Sequence, residues 1–251
     1  MPSWGRSRRR APGIRGRSST AVSRIIAPIS YRSWTRRRHR LRVSGSRSTT
    51  VPLLVATGNL GKLAEFRALL EDIPILSPRD AGLDLHVAET GTTFYDNALL
   101  KAQAHASASG MISVADDSGL EVDALDGRPG VRSARYGGAG LDDAGRYQHL
   151  LDELAGVPTA LRTARFHCCL VVADADGRTA TTAGSCEGRI LDEAEGDGGF
   201  GYDPVFFVPA YGRGMATLSR AEKGAVSHRG HALRALRPVL LETFPNLLRT
   251  D

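Results

Sequence analysis

The sequence is short of several things. It has three cysteines in 251 residues, Cys168, Cys169 and Cys186. Two neighbours and a distant third give neither a zinc-ligand spacing nor an even disulfide framework, so they read as reduced, mostly buried thiols of a cytoplasmic protein. No apolar run approaches the roughly 20 residues of a membrane-spanning helix, which leaves no segment to cross a bilayer. Lysine is almost missing: Lys62, Lys101 and Lys223 stand against 30 arginines. Acidic residues are wholly missing from residues 1–50, which carry 14 arginines and no lysine, a charge of +14. Residues 51–251 hold 16 Arg and 3 Lys against 27 Asp and Glu, a charge of −8. All the excess basicity therefore lies in the first fifth of the chain, and the acidic remainder argues against a nucleic-acid-binding surface on the folded part.

Few apolar residues and one sign of charge cannot support a core, so residues 1–50 are expected to be a disordered, Arg-rich leader. Richness in Arg and Ser without acids also fits a transit peptide, and charge alone fits a nucleic-acid tail. A secretory signal would need an apolar stretch after the charges, and none follows. The Arg-over-Lys bias fits a GC-rich coding sequence translated from an upstream start, the functional one lying near Val51. We treat the leader as dispensable and residues 51–251 as one domain.

What is present beyond Val51 alternates. The apolar run 51–56 reads as a buried strand, and Leu63, Phe66, Leu69 and Leu70 give the helical period that follows it. Pro74 ends that helix before a second strand near Ile75. Thr92 or Thr93 can cap a helix running to about Ser109. Residues 111–115 read as a buried strand ending abruptly in Asp116-Asp117-Ser118-Gly119. Residues 127–140 are loop, and 141–154 an amphipathic helix. The strand 165–173 turns at Gly177 into a partner over 178–188, and Ser227 caps a last helix. The expected fold is α/β: a mixed sheet with a long central antiparallel pair, flanked by helices, with a cleft between two lobes.

Four constellations carry chemistry, each beside a plainer alternative. Thr57-Gly58-Asn59-Leu60-Gly61-Lys62 joins a strand end to a helix start, where backbone N–H groups attract phosphate and Lys62 adds charge; it is equally a glycine turn with a surface lysine. It is not a Walker loop, because only two residues separate its glycines. Asp116 and Asp117 can hold a hard cation or orient a water, although neighbouring strand residues face opposite ways; an Asp/Ser/Gly turn reads the same. In Phe200-Gly201-Tyr202-Asp203-Pro204 a purine can stack on Phe200 or Tyr202, or the segment can enter the core. The fourth runs from Ser219-Arg220-Ala221-Glu222-Lys223 to Ser227-His228-Arg229. Cations at a helix N-terminus oppose its dipole, a local cost expected where a ligand compensates. Two of the three lysines fall in these segments, and Lys101 lies on a helix of its own.

In order, the segments TGNLGK, ETGTTFYDNALLKA, ADDSGLEVDAL, GRPGVRSARYGG, FGYDPVFF and EKGAVSHRG resemble the inosine triphosphate pyrophosphatase family over about residues 53–241. The resemblance implies Mg²⁺-dependent hydrolysis of ITP, dITP and XTP to the monophosphate and pyrophosphate, by a homodimer. It implies that Thr57, Gly58, Asn59, Leu60, Gly61 and Lys62 grip the triphosphate, and that Asp117 is the catalytic and metal residue. Ser118 would contact substrate, and Glu89 would be a second metal carboxylate. Phe200, Gly201, Tyr202 and Asp203 would form the base pocket, with Lys223, His228 and Arg229 closing on phosphate and purine. The family usually has Glu where this chain has Asp96, a shorter reach. The competing functions are a phosphatase releasing orthophosphate and a nucleic-acid-binding protein driven by the leader.

Overall fold

The computed structural model describes residues 51–247; the expectations for the leader lie outside the described residues. Seven strands form one mixed sheet in the order β2-β1-β3-β4-β5-β6-β7. They are β1 Leu53–Val55, β2 Ile75–Leu76, β3 Ser113–Val122, β4 Thr163–Ala173, β5 Thr179–Ile190, β6 Phe206–Val208 and β7 Arg213–Gly214. The helices are α1 Leu60–Leu69, α2 Phe94–Ser109, α3 Asp143–Glu153, α4 Arg220–Val226 and α5 His228–Thr243. The expected mixed sheet with a long antiparallel centre is present. Among the described residues no helix is long and apolar enough to cross a membrane.

Each helix starts where a side chain can take up its free N–H groups. Asn59, Thr93, Asp142 and Ser227 accept from Lys62, Asp96, Gly145 and Gly230, and Ser219 forms a full capping box with Glu222. Gly110, at φ 67°, closes α2 in the left-handed conformation that glycine adopts without strain.

Strands β2, β1 and β3 are parallel, with β1 in the middle. The chain leaves β1 in one direction through α1 and returns to its other side through α2. The end of β1 is thus a topological switch point, the place where open α/β sheets bind ligands. Helices α1 and α5 cover one face, where Phe66, Leu233 and Leu236 pack on Val55, Val114 and Leu170. Helix α2 covers the other with Ala98, Ala102 and Ala106 against Ala115 and Val171. On the α5 face a second apolar cluster, around Leu120, Phe166, Ile190 and Phe206, fills the far end of the sheet. The polar residues of the cleft lie between these two clusters.

Two expectations are corrected. Strand β3 does not stop at Ala115: it continues through Asp116, Asp117, Ser118 and Gly119, paired with Leu170, Cys169, Cys168 and His167 of β4. The ladder gives these backbones partners, so tertiary context overrides the turn preference of Asp, Ser and Gly. The segment 127–140 is not all loop, since residues Gly130–Arg135 form a short 3₁₀ helix lying against β3. Strand β1 stops opposite Val114, so among the described residues the edge of β3 beyond Ala115 has no neighbouring strand on that side.

Helix α5 reaches the sheet over Gly184 of β5. A Cβ there would meet the His228 carbonyl oxygen and come within 2.6 Å of the Ala232 nitrogen. Gly184→Ala is expected to push the start of α5 off the sheet and cost about 1–3 kcal/mol. A denaturant midpoint unchanged from the unmodified protein would contradict this packing.

Candidate active site

Period-two alternation along β3 sorts its polar side chains onto two faces. Asp116 and Ser118 face α1 and α5, and Asp117 faces α2. Lys62 of α1 donates to Asp116 Oδ1 at 2.5 Å, and Arg229 Nε of α5 donates to Asp116 Oδ2 at 2.6 Å. Arg229 also donates to Glu65 of α1 (2.5 Å) and to the Ser118 hydroxyl (2.9 Å). The side chains of Asp116 and Arg229 are 0% and 1% exposed. Burial opposes ionisation of Asp116, but Arg229 and Lys62 outweigh it and hold the carboxyl well below the usual range.

Asp117 has different company. Lys101 Nζ donates to Asp117 Oδ1 and Glu89 Oε1, both at 2.7 Å, and to the Asp116 carbonyl at 2.9 Å. That carbonyl lies on the open edge of β3, so Lys101 supplies the partner that a strand would have given. Asn97 donates to Asp117 Oδ2 at 3.3 Å. Burial raises the Asp117 pKa, Lys101 offsets part of this, and Glu89 adds repulsion; the net shift is upward. Adjacent carboxylates are therefore unlike: Asp116 is locked as an anion, and Asp117 binds a proton more readily.

Two cavities flank this edge. One, of 270 Å³, is lined by Lys62, Ser118, Phe200, Tyr202, Lys223 and His228 among others. The larger, of 790 Å³, is lined by Thr57, Gly58, Leu60, Glu89, Lys101 and Arg135 among others. Asp117 sits between them, its partners Glu89 and Lys101 facing the larger and its neighbour Ser118 the smaller. At the start of α1, Asn59 takes up the Lys62 N–H and Thr57 the Asn59 N–H. The N–H groups of Leu60 and Gly61, in the first helical turn, have no intrahelical acceptor and are available to an anion.

The expected segment Phe200–Asp203 and Lys223, His228 and Arg229 all line the smaller cavity, and several of them also hold protein partners. Phe200 presents a ring, with Lys223 Nζ 4.6 Å and the Arg229 guanidinium 5.6 Å from its centroid. Tyr202 is instead a buried wall whose hydroxyl donates to the Ser133 carbonyl at 2.8 Å. Asp203 is buried and accepts from Lys223 (2.6 Å) and from the Phe200 N–H (2.8 Å), so it fixes the loop. Arg229 was expected to meet the purine, yet its three nitrogens each already hold a protein acceptor. The anions that offset its place at a helix start are the protein's own Asp116 and Glu65. His228 stacks on Phe166 (centroids 4.8 Å apart, planes at 18°). Burial first, then the charge of Arg229, keeps its imidazole neutral, and its buried Nδ1 has no partner among the described residues.

Sequence reasoning missed Glu65, which bridges Lys223 (2.9 Å) and Arg229, and Asn97, which holds Asp117. Glu65 lies three residues after Lys62, hence on the same helix side. Asn97 is a polar residue on the buried stripe of α2. Lys101 was noticed for its rarity but given no role. Asp96 sits in the first turn of α2, where an acid complements the helix dipole.

For a divalent metal, Asp117 and Glu89 offer hard oxygens that already converge on one cation, the Lys101 ammonium. Among the described residues no group of three or more His, Cys, Asp or Glu could hold a metal ion. The donor set fits a cation bound by one or two carboxylates and completed by water and substrate phosphate, the habit of Mg²⁺.

Residues 53–239 match the model of the Ham1 family. The chain is 47% identical over 190 residues to a dITP/XTP pyrophosphatase of Desulforamulus reducens, covering 75% of this chain and 94% of that one. It is 48% identical over 192 residues to a dITP/XTP pyrophosphatase of Shigella flexneri, covering 75% and 97%. The solved structure of a HAM1 protein from Coxiella burnetii superposes with a TM-score of 0.70 at 40% identity, covering 76% of this chain and 99% of that chain.

Unlike carboxylates should respond unlike to neutralisation. Asp116→Asn leaves Arg229 buried against a neutral amide and is expected to cost about 3–5 kcal/mol in urea unfolding. Asp117→Asn removes a charge that the fold disfavours, so its stability should lie within about 1 kcal/mol of the unmodified protein or above it. The reverse order would contradict the assignment.

Proposed function

The chain belongs to the Ham1 family, and we propose that it hydrolyses non-standard purine nucleoside triphosphates such as ITP, dITP and XTP to the monophosphate and pyrophosphate. The observation that carries this reading is the order of the parts: a ring-lined cavity, then Asp117 on an open strand edge, then a larger cavity at a helix start. A purine held against Phe200 puts its ribose toward Ser118 and its first phosphate near Asp117. The remaining phosphates then extend toward the free N–H groups of Leu60 and Gly61, with Thr57, Gly58, Asn59 and Lys62 completing the turn.

Within this reading Asp117 and Glu89 would hold Mg²⁺, which when bound would supply positive charge against the pyrophosphate leaving group. Asp117, less acidic than its neighbour, orients the attacking water and takes its proton. Lys101 and Asn97 fix the rotamer of Asp117, and Lys62 and Lys223 counter the charge of the phosphates. On the purine, the neutral His228 with its unpaired Nδ1 is placed to read a polar edge. A donor aimed at the 6-oxo group of hypoxanthine or xanthine leaves the 6-amino group of adenine unpaired, a difference of about 1–3 kcal/mol per contact. The same reading includes a homodimer working in the cytoplasm.

With Mg²⁺, ITP, dITP and XTP are expected to yield equal amounts of monophosphate and pyrophosphate, with ATP turned over more slowly. Orthophosphate and a diphosphate as products would replace this reading with a phosphatase. Asp117→Asn is expected to abolish turnover while far-ultraviolet circular dichroism stays unchanged; pyrophosphate release at the unmodified rate would remove Asp117 from the chemistry. Lys62→Ala should raise KM for ITP roughly tenfold, the size of one charged contact, and unchanged KM and kcat would count against its role.

A further inference from the structure

Hypoxanthine, xanthine and guanine share a 6-oxo group and differ at position 2, which carries hydrogen, oxygen and an amino group respectively. Nothing in the Phe200–Asp203 loop or at His228 accounts for a choice among them. A different element supplies one. Asp143 and Arg146, in the first turn of α3, line the same 270 Å³ cavity. Asp143 accepts from the Gly201 N–H at 2.7 Å, which ties α3 to the ring-bearing loop. Its other oxygen accepts from Arg146 Nη1 at 3.0 Å.

Arg146 differs from the other cations around the cavity. Lys62, Lys223 and Arg229 are each held by a buried or half-buried carboxylate among Asp116, Asp203 and Glu65. Arg146 has Asp143 alone, whose second oxygen is taken by Gly201. Its Nε is buried with no hydrogen-bond partner among the described residues. The described residues contain four such orphaned buried side-chain atoms, and two of them, Arg146 Nε and His228 Nδ1, belong to residues lining this cavity. A guanidinium has five N–H donors and no acceptor, so its spare donors ask for an oxygen.

Resting on the pyrophosphatase reading of this site, we propose that Arg146 reads position 2 of the bound purine, selecting the 2-oxo group of xanthine and rejecting the 2-amino group of guanine. A 2-oxo group accepts from the guanidinium. A 2-hydrogen leaves the donors as they are, and a 2-amino group sets donor against donor. Asp143 is the positioning residue, since it holds the guanidinium and the Gly201 backbone together.

The test compares kcat/KM for XTP, ITP and GTP in the unmodified protein, Arg146→Ala and Arg146→Gln, with thermal unfolding to establish that each variant folds. The XTP-to-ITP ratio is expected to fall roughly tenfold in both variants, the size of one hydrogen bond to a charged donor, and the GTP-to-ITP ratio to rise. If XTP, ITP and GTP decline in proportion, Arg146 only supports the loop and the proposal is overturned. The ratio of Kd for XMP and IMP, measured by calorimetry on the same proteins, reads the same selectivity without turnover. Failure of the unmodified protein to hydrolyse any of these triphosphates would overturn the pyrophosphatase reading, while the XMP-to-IMP ratio would still decide the role of Arg146.

Discussion

The site depends on one buried ion pair. Asp116 lies in the middle of β3 and Arg229 in the first turn of α5, and neither side chain has appreciable access to water. Separating two such charges removes from each its partner in a site without water, so the pair favours one docking of α5 on the sheet. Glu65 extends the constraint to α1 by holding Arg229 and Lys223 together. Lys62, three residues before Glu65 on α1, is drawn onto the remaining oxygen of Asp116. A single carboxylate thereby sets β3, α1 and α5 relative to one another, and with them the turn at the start of α1 and the ring-lined cavity.

The neighbouring residue is free to do something else because a strand alternates. Asp117 faces α2, where it meets Lys101, Asn97 and Glu89 instead of the Arg229 cluster. The short length of β1 adds the second condition. By stopping opposite Val114 it leaves the edge of β3 without a strand neighbour, among the described residues, where Asp116 and Asp117 lie. The α/β switch point and the face alternation together bring the Asp117–Glu89 pair, the turn at the start of α1 and the ring-lined cavity to one line.

Much of this was legible in the sequence, for definable reasons. Thr93, one of the two candidate caps beside Thr92, and Ser227 announced their helices because capping chemistry is local, and the apolar period of 60–70 marked α1. The alternation that separates Asp116 from Asp117 was foreseeable once the segment was taken as a strand. What misled was the turn-forming composition of Asp-Asp-Ser-Gly, which local preference assigns to a loop and the β4 ladder makes part of a long strand. Arg229 and Tyr202 line the smaller cavity as expected, but the protein partners they also hold, Asp116 at 113 residues' distance and Ser133 at 69, are set by tertiary packing that no local pattern encodes. Lys101 was visible only as a rare residue, since its role needs the open edge of β3.

The central claim is that Asp117 directs water at the first phosphate beyond the ribose while Asp116 holds the frame. The most direct measurement is hydrolysis of ITP in water enriched in heavy oxygen, with the label traced in the products by mass spectrometry. Attack at the α-phosphorus predicts one solvent oxygen in IMP and unlabelled pyrophosphate. Label in the pyrophosphate or in orthophosphate, with unlabelled nucleotide, would contradict the account.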